Sequence, residues 1–375
     1  MNTSLIEILS SVADARRGQA KRYHLANILL FCIFGLLTGA NSYKTLCSFI
    51  DERFDLLQAA YPSPMKRAPS PSTLWRILSM VNLDELEAAF RRHAGQMHLV
   101  LGGGSGGTVA YDGKAMKGSY DKAAGKKASQ LLRAFASGTE IILGHIAIMA
   151  KSNEIPAMQA LVRELGLAGA VSTADAMHCQ VKTVAAAKES GGEALLQVKG
   201  NQKCLKKACE ALPENARPEK THVETGKIAR GRQETRRVEV FKAGSLLDAP
   251  EWQGLVPEAV RVTRTVMHRD SARSWKWRSS HEVAWYVSTQ TGKDAVYYGG
   301  ASRGHWGIEN RVHHVLDVAM REDASRVRKS ATAFSILRSF VLNILRFNRI
   351  KNVGRLPLPQ RHDLRTGPRL RRHLK

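Results

Sequence analysis

Acidic residues are scarce in this chain. There are 33 Asp and Glu against 57 Lys and Arg, which leaves a net charge of +24 over 375 residues. A balance of that kind asks for a polyanionic partner, with nucleic acid the first candidate and an anionic membrane surface the competitor. Cysteine is scarce too: the five residues, at 32, 47, 179, 204 and 209, form no CxxC pair. That excludes a disulfide framework and fits a reduced, cytoplasmic compartment. His178-Cys179 and His313-His314 are adjacent pairs without a matching partner set, which argues against zinc. Long apolar runs are missing as well. The strongest, Leu25–Ala40, is interrupted by Asn27 and Thr38 and falls short of the roughly 18 residues a membrane span needs. It also starts too far along the chain for a signal peptide.

What is present is 43% hydrophobic content, which supports a sizeable core, in 375 residues, long enough for two domains with an insertion. Asn2–Ser11 has amphipathic spacing, and Asp14–Arg22 makes a basic loop. Leu25–Ala40 reads as a buried helix, and Ser42–Leu57 continues as helix. After the Pro- and Ser-rich loop Tyr61–Pro71, Ser72 is a candidate cap for a helix with Trp75, Ile77, Leu78 and Val81 on its inner face. Asn82 or Asp84 caps a further helix through His93. Residues 1–100 are therefore predicted as an all-helical N-terminal domain that holds DNA. Residues 101–107 are rich in Gly and Ser. They contain a GxGxxG spacing, yet they follow a helix and open a strand, the reverse of a dinucleotide-binding fingerprint. A linker is the prediction.

From Thr108 the period becomes that of strands. Thr108–Tyr111 ends in Asp112-Gly113-Lys114, and Leu131–Ser137 and Ile141–Met149 flank the hairpin signal Ser137-Gly138-Thr139. A helix opened by Pro156, a strand Ala170–Thr173 ending at Asp175, a helix Val181–Glu189 and a strand Ala194–Lys199 follow. The predicted order is β-β-β-α-β-α-β. Right-handed crossovers let the fourth strand lie beside the first. Asp112 and Asp175 would then end neighbouring strands, where α/β sheets place their sites. Lys203–Ala211 reads as helical. Lys220–Lys242, with Arg230, Arg232, Arg236 and Arg237, reads as a basic hairpin, and Ala259–His268 and Glu282–Ser288 as further strands. These form a β-rich insertion at about 203–290 within a catalytic domain spanning 108–348. Arg303–Arg326 reads as a helix whose apolar stripe is Ile308, Val312, Val315, Leu316 and Ala319. Glu309 sits beside that stripe and is expected to point toward whatever it packs on. Asp323 falls on nearly the same face, and Trp306 reads as a core residue. A second helix is predicted from Ala331 to Asn348. Residues 349–375 carry many basic residues and one acid, Asp363. They read as a disordered, nucleic-acid-binding tail.

Four stretches share a known pattern: Asp112-Gly113-Lys114, Ser172–His178, Lys199-Gly200-Asn201-Gln202 and His305–Asn310. Leu316-Asp317-Val318 and Arg321–Arg326 extend it. In order and in wording they resemble the H-repeat-associated family of bacterial insertion-sequence transposases, of the DDE class. The resemblance covers nearly the whole chain, including Asp14–Leu57. It implies an α/β fold: a ribonuclease-H-like mixed sheet with flanking helices, interrupted by a β-rich insertion before the last catalytic helix. It also implies that Asp112, Asp175 and Glu309 form the DDE triad. Related transposases carry a Tyr-Arg-Glu-Lys signature around the glutamate. Here His305 stands where the Arg would be, and Leu316 stands near the expected Lys.

Transposition breaks a phosphodiester with water and then joins the freed 3′ hydroxyl to a target phosphate. Both are in-line displacements at phosphorus, served by two metal ions roughly 3.5–4 Å apart. The family implies Mg²⁺, with Mn²⁺ as a substitute, held by Asp112, Asp175 and Glu309; carboxylate oxygens suit that ion. The implied partner is double-stranded DNA, as transposon ends and as target. A homodimer on DNA, no membrane, and a cytoplasmic, nucleoid-associated location go with it. Lys114 and Lys117 could meet phosphate or lie in a solvated turn; Lys199 and Asn201 could contact DNA or close a turn. Arg230, Arg232, Arg236 and His305 complete the DNA-binding candidates. Two other readings stay open: a metal-dependent nuclease on the same core that cuts without joining, and a DNA-binding relic without catalysis.

Overall fold

A computed structural model describes residues 3–18, 21–104, 106–122, 125, 127–148, 153–244, 247–269 and 276–350. The basic stretch from 351 onward therefore lies outside the described residues, as do Ser105 of the Gly-rich stretch and Gln19 and Ala20 of the basic loop. In chain order the elements are helices α1 (Leu5–Ser10), α2 (Leu25–Leu37), α3 (Tyr43–Glu52), α4 (Phe54–Ala60), α5 (Pro71–Ser79) and α6 (Leu83–Val100). Then come β1 (Thr108–Ala115), β2 (Gln130–Ala136), β3 (Ile141–Ile148), α7 (Glu154–Leu165), β4 (Val171–Ala174), α8 (Val181–Glu189) and β5 (Glu193–Val198). After α9 (Lys203–Asn215) the strands are β6 (Lys220–Thr225), β7 (Arg232–Lys242), β8 (Glu258–Arg269) and β9 (Trp277–Ser288). Helices α10 (Ala295–His305), α11 (His314–Val318) and α12 (Ala331–Phe347) close the described chain. No helix among the described residues is long and apolar enough to cross a membrane.

Local chemistry accounts for most of these boundaries. Ser42 opens α3 with a reciprocal capping box to Thr45. Asn82 caps α6 by accepting from the amides of Asp84 and Glu85. The cap of α5 is Ser70, not Ser72. Its hydroxyl accepts from Thr73 N, and Pro71 takes the first helical position, where a missing N–H costs nothing. That start puts Leu74, Ile77 and Leu78 on the buried face. Trp75 turns outward at 39% exposure, under the ammonium of Lys329.

The chain divides into two compact units that do not follow its order. The first comprises Met1–Gly104, Gly113–Asn153 and Ile308–Lys375; the second comprises Ser105–Asp112 and Glu154–Gly307. Strand β1 passes from one to the other between Asp112 and Gly113.

In the first unit, α12 packs on α2, α6 and β3, and α6 packs on β3. This grouping joins the N-terminal helices to the β2–β3 hairpin. It follows from α2 and α12, which are buried along nearly their whole length; a helix of that kind needs cover on every side. Polar side chains fix the register inside this core. Asn343 on α12 accepts from Ile142 N at 2.9 Å and donates to Ile142 O at 2.8 Å. It satisfies the backbone where the β2–β3 ladder shifts at Ala134/Phe135. His145 on β3 bridges Glu87 of α6 and Ser339 of α12, both at 2.8 Å. Arg133 on β2, fully buried, donates to both oxygens of Glu322 at 3.1 Å. Glu322, itself 2% exposed, also accepts from Ser335 at 2.6 Å.

In the second unit β1, β4 and β5 run parallel, and β9 adds antiparallel to β5, followed by β8, β7 and β6. This is a large mixed sheet with flanking helices: α8 lies on β5, and α10 on β7 and β4. Residues 220–288 thus continue the sheet outward from β5, whose edge would otherwise stand unpaired. The core gathers Val171, Leu195, Val240, Val260 and Tyr298. The order β-β-β-α-β-α-β and the parallel pairing of the fourth strand with the first are as the sequence pattern predicts.

Glu322→Ala is expected to destabilise the fold by about 3–5 kcal/mol, because it leaves the Arg133 guanidinium buried without its counter-charge. Denaturant unfolding checks this; a midpoint equal to wild type would contradict it.

Candidate active site

The register of β1 and β4 generates the site in the second unit. Thr108 pairs with Val171 and Tyr111 with Ala174. Asp112 and Asp175 each follow the last residue paired between the two strands, so both acids lie at one level; Asp175 stands just past the end of β4, whereas Asp112 lies within β1, which runs on to Ala115 instead of ending at the acid as expected. Asp175 is half-exposed, and His305, at the end of α10, reaches it: Nε2 lies 3.3 Å from Asp175 Oδ1. The other ring nitrogen of His305 lies 3.4 Å from the hydroxyl of Thr173 on β4. The hydrogen bond from His305 holds the Asp175 carboxyl below its ordinary range. Burial opposes it, and the charges of His305, Lys199 and His178 add to the lowering.

The turn after β5 is tied to the turn after Asp175. Asn201 Nδ2 donates to Ala176 O at 2.7 Å, and Gln202 Nε2 donates to Cys179 O at 2.8 Å. Lys199, between the strand and this turn, is exposed.

In the first unit, Glu309 lies on a π-helical turn, Ile308–His313, that precedes α11. Of the predicted stripe, Ile308, Val312 and Leu316 are buried, while Val315 and Ala319 are only half-buried. The single helix expected over Arg303–Arg326 is not formed. Helix α10 ends at His305 and α11 at Val318, and Arg321 takes a left-handed φ of 52°. Asp323 therefore shares no helical face with Glu309. The Glu309 side chain is 58% exposed, and its Oε2 meets Nδ1 of the buried His313 at 3.1 Å. Trp306 is exposed at 47% rather than a core residue, since it follows the end of α10.

With this geometry in place the comparisons with known proteins decide the family. A family model described as Transposase DDE domain matches residues 103–344. The chain belongs to the transposase DDE domain family. A second model, described as DDE_Tnp_1-associated, matches residues 6–94. The Escherichia coli O157:H7 protein named "Putative transposase YncI" is 31% identical over 350 residues, covering 92% of this chain and 87% of its own. "H repeat-associated putative transposase YhhI" of Escherichia coli K12 is 29% identical over 357 residues, covering 93% and 92%. A piggyBac transposase synaptic complex with hairpin DNA, solved by cryo-EM, matches at a TM-score of 0.39 and 11% identity, over 98% of this chain and 81% of that one. A likeness that loose carries nothing further.

The basic candidates of this DDE domain sit in different surroundings. Lys114, two residues past Asp112, is only 11% exposed and pairs with Asp317, with Asp323 at 3.9 Å. Lys117 is 82% exposed, 3.7 Å from Asp323. Arg230 is exposed in the turn between β6 and β7, at a φ of 50°. Arg232 and Arg236 pair with Glu234 at 3.2 and 3.0 Å. His305, at 9% exposure, faces Asp175. Two features escaped the sequence reading. One is the His313–Glu309 contact, which the spacing Glu-x-x-x-His could have signalled. The other is the docking of residues 114–118 on 317–325, which has no local signature. In that dock Asp323 also accepts from Lys117 N at 3.2 Å, and Gly118 lies directly on the backbone of residues 323 and 325.

At Gly118 an added Cβ would sit 2.7 Å from Asp323 O and closer still to Ser325 O. Gly118→Ala is accordingly expected to cost about 1–3 kcal/mol or more through overpacking against backbone. A melting temperature equal to wild type would contradict the dock.

Proposed function

We propose that the protein is a DNA transposase that cleaves insertion-sequence ends and joins the freed 3′ hydroxyl to target DNA, with Asp112, Asp175 and Glu309 as its acidic triad. The observation that carries the reading is the β1–β4 register, which sets an acid just past the last paired residue of each of two adjoining parallel strands. It lies within the stretch matched by the Transposase DDE domain. The donor set fits Mg²⁺, with Mn²⁺ as substitute: carboxylate oxygens are the hard ligands this ion takes alongside phosphate and water. Two such ions, when bound, supply Lewis acidity at the attacking and leaving oxygens of an in-line displacement.

The chain's own residues do the rest. Asp112 and Asp175 offer oxygens from a rigid sheet, and His305 fixes the orientation of Asp175. Exposed Lys199, Lys117, Arg230 and Arg232 draw the phosphate backbone toward the strand ends, as the net charge of +24 favours. Lys114, Arg236 and His305 act on DNA through the acids they hold rather than as free cations. The mixed sheet, with parallel β1, β4 and β5 and a β2–β3 hairpin, supports a ribonuclease-H-like core. Helices within residues 1–100 are read as the part that holds DNA. A homodimer on DNA and a nucleoid-associated, cytoplasmic location complete the proposal.

The test uses labelled donor ends, a plasmid target and Mg²⁺. Asp112→Ala, Asp175→Ala and Glu309→Ala should each abolish cleavage and joining. Double variants should be no worse, since residues acting as one unit are not additive. DNA affinity should stay at the wild-type level or rise, because removing a negative charge near phosphate removes repulsion. Cutting without joining by the wild-type protein would mark a nuclease instead. Full activity in any single variant would remove that residue from the triad.

A further inference from the structure

Glu309 has an unusual support. Its carboxylate oxygen Oε2 meets Nδ1 of His313, four residues on, at 3.1 Å, and His313 is 3% exposed while the Glu309 side chain is 58% exposed. An exposed Glu ordinarily spreads over many rotamers and loses side-chain entropy when it is fixed. Here a buried ring holds one oxygen. The segment carrying both residues is the π-helical turn Ile308–His313. Such turns are rare, and those that occur are frequently at functional sites. Ile308 and Val312 of the same turn are 1% and 0% exposed, so the turn that carries the pair is anchored in the core.

We propose that His313 is a positioning residue for Glu309: its Nδ1–H donates to Oε2 and presets the carboxylate before a divalent cation binds. The inference rests on the reading of Glu309 as one of the triad. His313 touches neither substrate nor reacting atoms in this scheme and acts only through Glu309. Groups that hydrogen-bond a liganding carboxylate typically matter about 10–100-fold in metal affinity or activity. A ring that only fills a core position would not change metal affinity at all.

The test compares His313→Ala, His313→Asn and His313→Leu in the full chain. Mn²⁺ affinity is read by electron paramagnetic resonance without DNA, alongside the Mn²⁺ concentration for half-maximal cleavage and the melting temperature. An Asn amide can place its NH₂ close to where Nδ1 lies; Leu fills the space with no donor. His313→Ala and His313→Leu should weaken Mn²⁺ binding about 10–100-fold with DNA affinity unchanged, and His313→Asn should recover most of it. If Ala fails to fold, the Asn and Leu pair decides alone. Wild-type Mn²⁺ affinity in His313→Leu, or no recovery in a folded His313→Asn, would overturn the inference. Glu309→Ala separates the two readings. If it still cleaves, the triad reading fails. If it is dead while His313→Leu binds Mn²⁺ normally, only the positioning role fails.

Discussion

The parallel pairing of β1 with β4, from Thr108↔Val171 to Tyr111↔Ala174, sets two carboxylates just past the last paired residues of adjoining strands. Carboxylates so placed need cations near them. At Asp175 the answer comes from His305, braced on Thr173, with the charges of Lys199 and His178 behind it. Each of these belongs to the same unit, and each sits where β4, β5 or α10 ends. The sheet register and the surrounding cations are thus two halves of one arrangement, and the arrangement suits an ion bound by oxygen atoms.

Burial decides how the large positive charge can be used. Arg133 is spent inside the first unit on Glu322 and Ser335. Lys114 is spent on Asp317, and Arg236 on Glu234. These cations position acids and backbone rather than meet a polyanion. Lys199, Lys117 and Arg230, on turns and strand ends, keep their side chains toward solvent, where long-range attraction to phosphate operates.

Much of this was legible in the chain. Alternating apolar runs and intervening helical periods predict the strand order, and crossover handedness puts the fourth strand beside the first. From those two inferences Asp112 and Asp175 follow as neighbours on adjoining strands, though β1 runs past Asp112 to Ala115. The helices before residue 101 follow from their periodicity and caps, with the start of α5 two residues earlier because Pro71 needs a first-turn position. What stayed hidden depends on contacts far apart in sequence. Local pattern runs a single helix through Arg303–Arg326, because the stripe Ile308, Val312 and Leu316 continues smoothly across the π turn. Nothing in the neighbourhood of Lys114 signals Asp317, more than two hundred residues away. Trp75 and Trp306 look like core by residue type, yet helix phase at one and a helix end at the other turn them outward.

The claim that Asp112, Asp175 and Glu309 hold a divalent cation is open to a direct measurement. Fe²⁺ replaces Mg²⁺ in the full chain, ascorbate and peroxide are added, and the cut peptide fragments are mapped by mass. Hydroxyl radicals made at a bound iron cleave only nearby backbone. The expected result is cleavage confined to three segments, around residues 112, 175 and 309, suppressed by excess Mg²⁺ and lost in Asp112→Ala. Cleavage that spares these segments, or that persists unchanged in Asp112→Ala, would contradict the account.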